Sequence, residues 1–139
     1  MSRENIGVVQ RFFEARNRND LEGELAELAD DVVWDMSNSR SPYQGVYKGH
    51  DGFRQLRREA LENWERIEWQ PHEFIEAGQC VVVPMSGRNL GRGGIELEWT
   101  STSVYTVRAG KIVKSVLYQS KEEALEVVGL RGEDPPDLP

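Results

Sequence analysis

Between Ile95 and Val107 the chain alternates with a period of two. Ile95, Leu97, Trp99, Ser101, Ser103, Tyr105 and Val107 fall on one side, and Glu96, Glu98, Thr100, Thr102 and Thr106 on the other. An alternation that long fits only a strand with one face against a core and one toward water. It has neighbours of the same kind. Cys80 to Gly87 carries Val81, Val83 and Met85 on one face, and Lys111 to Gln119 follows the Ala109-Gly110 turn. Glu68 to Glu76 reads as a further strand ending at Ala77-Gly78-Gln79, and Arg88 to Gly94 as a glycine-rich connection. Successive hairpins of this type predict an antiparallel sheet.

Ahead of the sheet the spacing is helical. Ile6, Val9, Phe12, Phe13 and Arg16 recur on one helix, which breaks at Asn17-Arg18-Asn19-Asp20. Asp20 is placed to cap a second helix striped by Leu21, Leu25 and Leu28. Phe53, Leu56, Ala60, Leu61 and Trp64 stripe a third, from about Asp51 to Trp64. A short strand, Val32 to Met36, lies between the second and third, followed by a loop and the aromatic stretch Tyr43 to Gly49. After the sheet, Ser120-Lys121-Glu122-Glu123 has the capping-box form, predicting a short helix that stops at Gly129. Helices grouped ahead of a sheet make an α+β fold. Residues 1–130 read as one domain, and 131–139, with three prolines and three acids, as a disordered tail.

The chain of 139 residues is long enough to bury a core without disulfides or metal. Its net charge of -7 speaks against nucleic-acid binding, which relies on Lys and Arg neutralising phosphates. No apolar run reaches the roughly 20 residues of a membrane helix, so no membrane partner is expected. The start, Met1 to Asn5, lacks the apolar stretch of a signal peptide, and the single cysteine, Cys80, cannot pair internally. Both point to the reducing cytoplasm. One Cys with His50 and His72 supplies no metal set. Gly87 to Gly94 lacks the strand–loop–helix setting of a phosphate loop.

Several segments together resemble the NTF2-like superfamily, in its SnoaL-like and ketosteroid-isomerase-like branch. They are Val8-Val9-Gln10-Arg11-Phe12-Phe13, Asn19-Asp20-Leu21-Glu22-Gly23, Leu28 to Asp35, Tyr47 to Gly52, Gly110-Lys111-Ile112-Val113 and Glu122 to Leu130. The resemblance implies an NTF2-like cone. Three N-terminal helices pack on a curved antiparallel or mixed sheet, with a short C-terminal helix. It also implies a homodimer through the exposed sheet face, and no cofactor. Members include isomerases, cyclases, hydrolases, dehydratases and non-enzymatic binders, so the fold alone does not name a reaction.

In ketosteroid isomerase-like members a carboxylate at the end of the first strand is the general base, and Asp35 falls at that place. Trp34 and Met36 beside it suggest low-dielectric surroundings and a raised pKa. Alternation, however, puts Asp35 on the face opposite Trp34 and leaves open which of the two faces the pocket; the alternative is that Asp35 only ends the strand and caps the following turn. The two further isomerase groups are missing. The first-helix tyrosine position holds Phe12, and the late-strand acid position holds Ser103, or Thr102 in the alternative alignment. Loss of one such donor typically costs on the order of 10²–10³ in rate, so an ordinary ketosteroid isomerase is not expected. The paired histidines of scytalone dehydratase-like members and the Asp-Arg-Asp set of limonene epoxide hydrolase-like members have no counterpart either.

The expected pocket residues are Phe12, Trp34, Tyr43, Tyr47, Trp64, Met85, Trp99, Ser101, Ser103 and Tyr118, with Tyr105 beside them. Ser101 and Ser103 are hydroxyls on an otherwise apolar strand face and need partners, which could be each other, water or a ligand. Two readings follow. One is a cofactor-free isomerase, lyase or hydrolase using Asp35 on a small apolar substrate. The other is a non-catalytic cone that holds a ligand or a partner segment.

Overall fold

The computed structural model describes residues 2–39 and 45–129. Tyr43 and the tail 131–139 lie outside the described residues. Helices α1 (Ser2–Asn17) and α2 (Leu21–Ala26) come first, then strands β1 (Leu28–Asp35) and β2 (Val46–Lys48) and helix α3 (Gly49–Asn63). Strands β3 (Arg66–Pro71), β4 (Ile75–Ala77), β5 (Cys80–Leu90), β6 (Glu96–Arg108) and β7 (Lys111–Tyr118) follow, and helix α4 (Lys121–Val127) closes the series. The seven strands form one sheet in the order β2-β1-β7-β6-β5-β3, with β4 also paired to β5. The β1–β7 pair is parallel, and the other pairs are antiparallel. This is the α+β cone expected, with a mixed sheet.

Local departures have local causes. Leu28 opens β1 instead of closing α2, because Ile112 N–H bonds the Glu27 carbonyl at 2.8 Å and pins the chain to β7. The single strand expected over Glu68 to Glu76 splits after Pro71. His72 N–H turns to the Pro84 carbonyl at 2.9 Å, and residues 72–74 leave the ladder. β5 runs on to Leu90, so the glycine-rich connection shrinks to a tip around Arg92–Gly94. The caps are as expected: Asp20 accepts from Gly23 N–H at 2.9 Å, and Ser120 from Glu123 N–H at 3.1 Å.

The helix-covered face of the sheet carries the main core. Val32 and Trp34 of β1, Val81, Val83 and Met85 of β5, and Tyr105 and Val107 of β6 meet Val8, Val9, Phe12 and Phe13 of α1 and Phe53 and Leu56 of α3. Burying that apolar surface is the main stabilising term, at roughly 25 cal/mol per Å². A smaller cluster occupies the opposite face, where Ala124 and Leu125 of α4 cover Val82 and Val104.

Candidate functional site

Strand alternation decides which side chains enter the cone. On β1 the inward residues are Val32 and Trp34, with Met36 just beyond the strand. Cross-strand register aligns Trp34 with Ser115, Ser115 with Tyr105, and Tyr105 with Val81 in one row. The next rows toward the wide end contain Ser103 beside Leu117 and Val83, then Ser101 beside Met85, then Trp99 beside Gly87 and Trp69. Tyr105, Ser103 and Met85 are buried, whereas Met36, Leu117, Ser101, Trp99 and Trp69 are half-buried. The narrow end is thus sealed, and the wide end is only partly covered by the helices.

At the narrow end the rings touch. Trp34 and Phe53 centroids are 5.0 Å apart, Phe12 and Trp34 5.4 Å, and Phe12 and Tyr105 6.3 Å. Into this aromatic box α1 sends a cation. The Arg16 guanidinium stacks on Trp69 at 3.6 Å from the ring centroid and lies 5.0 Å from Phe12 and 5.6 Å from Trp34. Burial lowers its pKa, opposed by Tyr105 and Glu24. Glu24 of α2 is 3.7 Å from Arg16 and accepts from Arg57 of α3 at 2.9 Å. Burial raises the Glu24 pKa against the pull of both guanidinium groups. Arg57 also donates to Asn19.

The Tyr105 hydroxyl is fully buried and has no partner at hydrogen-bonding geometry. Burial raises its pKa, while Arg16, Ser103 and Ser115 pull the other way. At the wide end Trp99 lies flat on Gly87 and donates to Asn89 at 2.8 Å, and its ring meets Trp69 edge-on at 5.2 Å. Asn17 ties α1 to β3 through both its amide atoms, on the Trp69 carbonyl at 2.9 Å and N–H at 3.0 Å.

Several expected pocket residues are elsewhere. Asp35 points to the face opposite Trp34, on the side of Lys114 and Tyr118. Its pKa is lowered, not raised. The Ser37 hydroxyl donates to it, Ser37 N–H donates to it at 2.9 Å, and Lys114 adds a weaker pull. It therefore caps the turn after β1, and the apolar neighbours in sequence turn away from it. Tyr118 belongs to the cluster under α4, on the outer face. Trp64 ends α3 against Gly91 at the β5–β6 tip, outside the aromatic box. Tyr47 packs on the edge of the core and reaches Glu59 at 3.4 Å. Phe12, Trp34, Met85, Trp99, Ser101 and Ser103 do share the inner face.

Arg16, Glu24, Arg57 and Trp69 were not singled out by the sequence reading. The available signal was a charge on an apolar helical stripe: Arg16 follows Phe12 by four, and Glu24 follows Leu21 by three. Among the described residues no cluster of His, Cys, Asp and Glu could hold a metal, and no helix is long and apolar enough to cross a membrane. One open groove lies beside Leu21, Arg57 and Leu61 between α2 and α3, and another at the wide end of the sheet is lined by Trp69, Gly87 and Trp99 together with Glu68, Arg88 and Glu98.

Comparison with known proteins places this geometry. An NTF2-like protein of unknown function from Burkholderia pseudomallei is 29% identical, with a TM-score of 0.76 over 90% of this chain and 97% of that one. TerC, co-crystallised with polyporic acid, is 22% identical with a TM-score of 0.76, over 90% of this chain and 98% of that one. Rv0760c from Mycobacterium tuberculosis, in complex with estradiol-17β-hemisuccinate, is 20% identical with a TM-score of 0.75, over 85% and 95% of the two chains. No curated protein sequence matches the chain. The SnoaL-like domain model matches residues 9–115, and with the cone it meets here the chain belongs to the SnoaL-like family of the NTF2-like superfamily.

Proposed function

We propose that this protein holds a small apolar, planar molecule in the wide end of the cone, and that it does so without Asp35 acting as a base. The observation that carries the reading is the inner face itself. Half-buried Met36, Leu117, Ser101, Trp99 and Trp69 surround a partly uncovered apolar surface, and the sealed aromatic box forms its floor. Such a surface with a few polar groups is what a small-molecule site requires. TerC and Rv0760c, of the same fold, were crystallised with organic ligands, which supports the reading by analogy. Asp35, half-buried on the outer face and held ionised by Ser37, is poorly suited to take a proton near neutral pH.

The homodimer belongs to the same proposal. On the outer face Glu68, Arg88 and Glu98 lie side by side across β3, β5 and β6, with Arg88 3.3 Å from Glu68. A two-fold axis passing between Glu68 and Arg88 would set each against the other's copy and pair opposite charges. Light scattering at low and high salt tests it. Dimer at low salt supports the interface, and monomer at every concentration opposes it.

The ligand reading is tested by a thermal-shift screen of polycyclic, aromatic, terpenoid and short acyl compounds on wild type and Asp35→Asn. Binding to the folded state raises Tm by mass action. Equal shifts in both proteins are expected. A shift seen only in wild type, and dependent on pH near neutrality, would return Asp35 to the site. No shift with any compound would favour an interaction module instead.

A further inference from the structure

We infer that the ligand of the cone carries an anionic oxygen, such as a carboxylate, enolate or phenolate, received by Arg16 and the Tyr105 hydroxyl. The inference rests on the ligand reading above and narrows it to one chemical class.

Three observations converge. First, the buried Arg16 guanidinium lacks a close anionic partner. Glu24 lies 3.7 Å from it and makes its short contact, 2.9 Å, with Arg57, which is partly open to solvent. An incoming anion would give Arg16 the close pairing that Glu24 does not. Second, the Tyr105 hydroxyl is buried, and none of its polar neighbours meets it at full hydrogen-bonding geometry. Unpaired buried hydroxyls are rare, and this one lies beside Arg16, Ser103 and Ser115 on the inner face, next to the partly uncovered rows. Third, the cation is held in place. Trp69 stacks on the Arg16 guanidinium, and Asn17 fixes Trp69 to the end of α1. A guanidinium fixed by stacking loses little freedom when it takes up a carboxylate.

Glu24 does not satisfy this site by itself. Its distance to Arg16, 3.7 Å, is that of an ion pair without a short hydrogen bond, whereas its contact with Arg57 is 2.9 Å. Arg57 would remain paired if Arg16 were engaged by a ligand. The net charge of -7 makes acid preference a demanding outcome, because the field of the whole protein repels anions.

The test is calorimetric titration with matched pairs, the carboxylic acid and primary amide of naphthalene, anthracene and a steroid skeleton. Wild type is expected to bind at least one acid on the order of 10–100-fold more tightly than its amide. Tyr105→Phe, which deletes only the unpaired hydroxyl and should fold normally, is expected to cut that preference about tenfold. Arg16→Met leaves the Arg57–Glu24 pair intact and should remove the rest of it. Acid and amide binding equally would overturn this inference and leave the ligand reading standing. No binding by either member of any pair would overturn both. An acid preference unchanged in both variants would place the anion elsewhere and overturn the inference.

Discussion

Replacing Gly87 by alanine tests how the wide end of the cone is built. A Cβ at this position would lie 2.1 Å from Trp99 Cζ2, 2.5 Å from Cε2 and 2.6 Å from Cη2. Three ring atoms inside van der Waals contact cannot be relieved by a small tilt, so the indole must leave the face of β5. It would give up its hydrogen bond to Asn89 at 2.8 Å and its edge contact with Trp69 at 5.2 Å. Overpacking of this kind costs about 1–3 kcal/mol, and a lost hydrogen bond about 1 kcal/mol. The aromatic contact adds about 0.5–1.5 kcal/mol, and the better strand behaviour of alanine returns roughly 0.5–1 kcal/mol. The net expectation is a loss of about 2–4.5 kcal/mol, or roughly 7–16 °C in Tm for a chain of this size. Urea denaturation followed by circular dichroism measures it. Trp99→Leu in the Gly87→Ala background should recover part of the loss. A Gly87→Ala protein within about 0.5 kcal/mol of wild type, with unchanged tryptophan emission, would refute the stacking of Trp99 on Gly87.

Two further substitutions probe the charges. Asp35→Asn bears on the sign of the Asp35 shift, because a carboxyl held below its ordinary 3.8 contributes stability above that pH and loses it as pH falls through the lower folded value. With solvent screening taken into account, wild type should exceed the variant by a few tenths of a kcal/mol at pH 7, and the gap should narrow as the pH falls below the ordinary carboxylate range. A gap that grows in acid would mean a raised pKa. Glu24→Gln removes the carboxylate shared by Arg16 and Arg57 and should cost about 3–5 kcal/mol in denaturant unfolding, while a loss under 1 kcal/mol would mean that the two guanidinium groups are solvated.

What could be read from the sequence follows from which faces are half-buried. β6 has one inner face and one outer face along most of its length, so its alternation names Trp99, Ser101, Ser103 and Tyr105 as neighbours, as the structure has them. β7 gives no such reading. Val113 is a bulge that shifts the phase between Ile112 and Lys114, and α4 covers the outer face, so apolar residues occur on both sides. Tyr118, expected in the pocket, therefore lies under α4 on the outer face. Asp35 shows a second limit. Apolar neighbours in a strand point away from the residue between them, so Trp34 and Met36 say nothing about its dielectric. The Arg16–Glu24–Arg57 cluster joins three helices through residues up to 41 positions apart, as the sequence numbers show. Only the oddity of charges on apolar stripes announces it.

The most direct test of the account uses the four indole N–H signals in a proton–nitrogen spectrum, assigned by single Trp→Phe substitutions. Trp34, Trp69 and Trp99 lie on the inner face, and Trp64 sits outside the aromatic box beside Gly91. On titration with the best-binding compound, the Trp69 and Trp99 signals should move with saturating dependence, Trp34 should follow more weakly, and Trp64 should stay in place. A titration that shifts Trp64 alone, or none of the four while binding is measured independently, would contradict a ligand held in the cone.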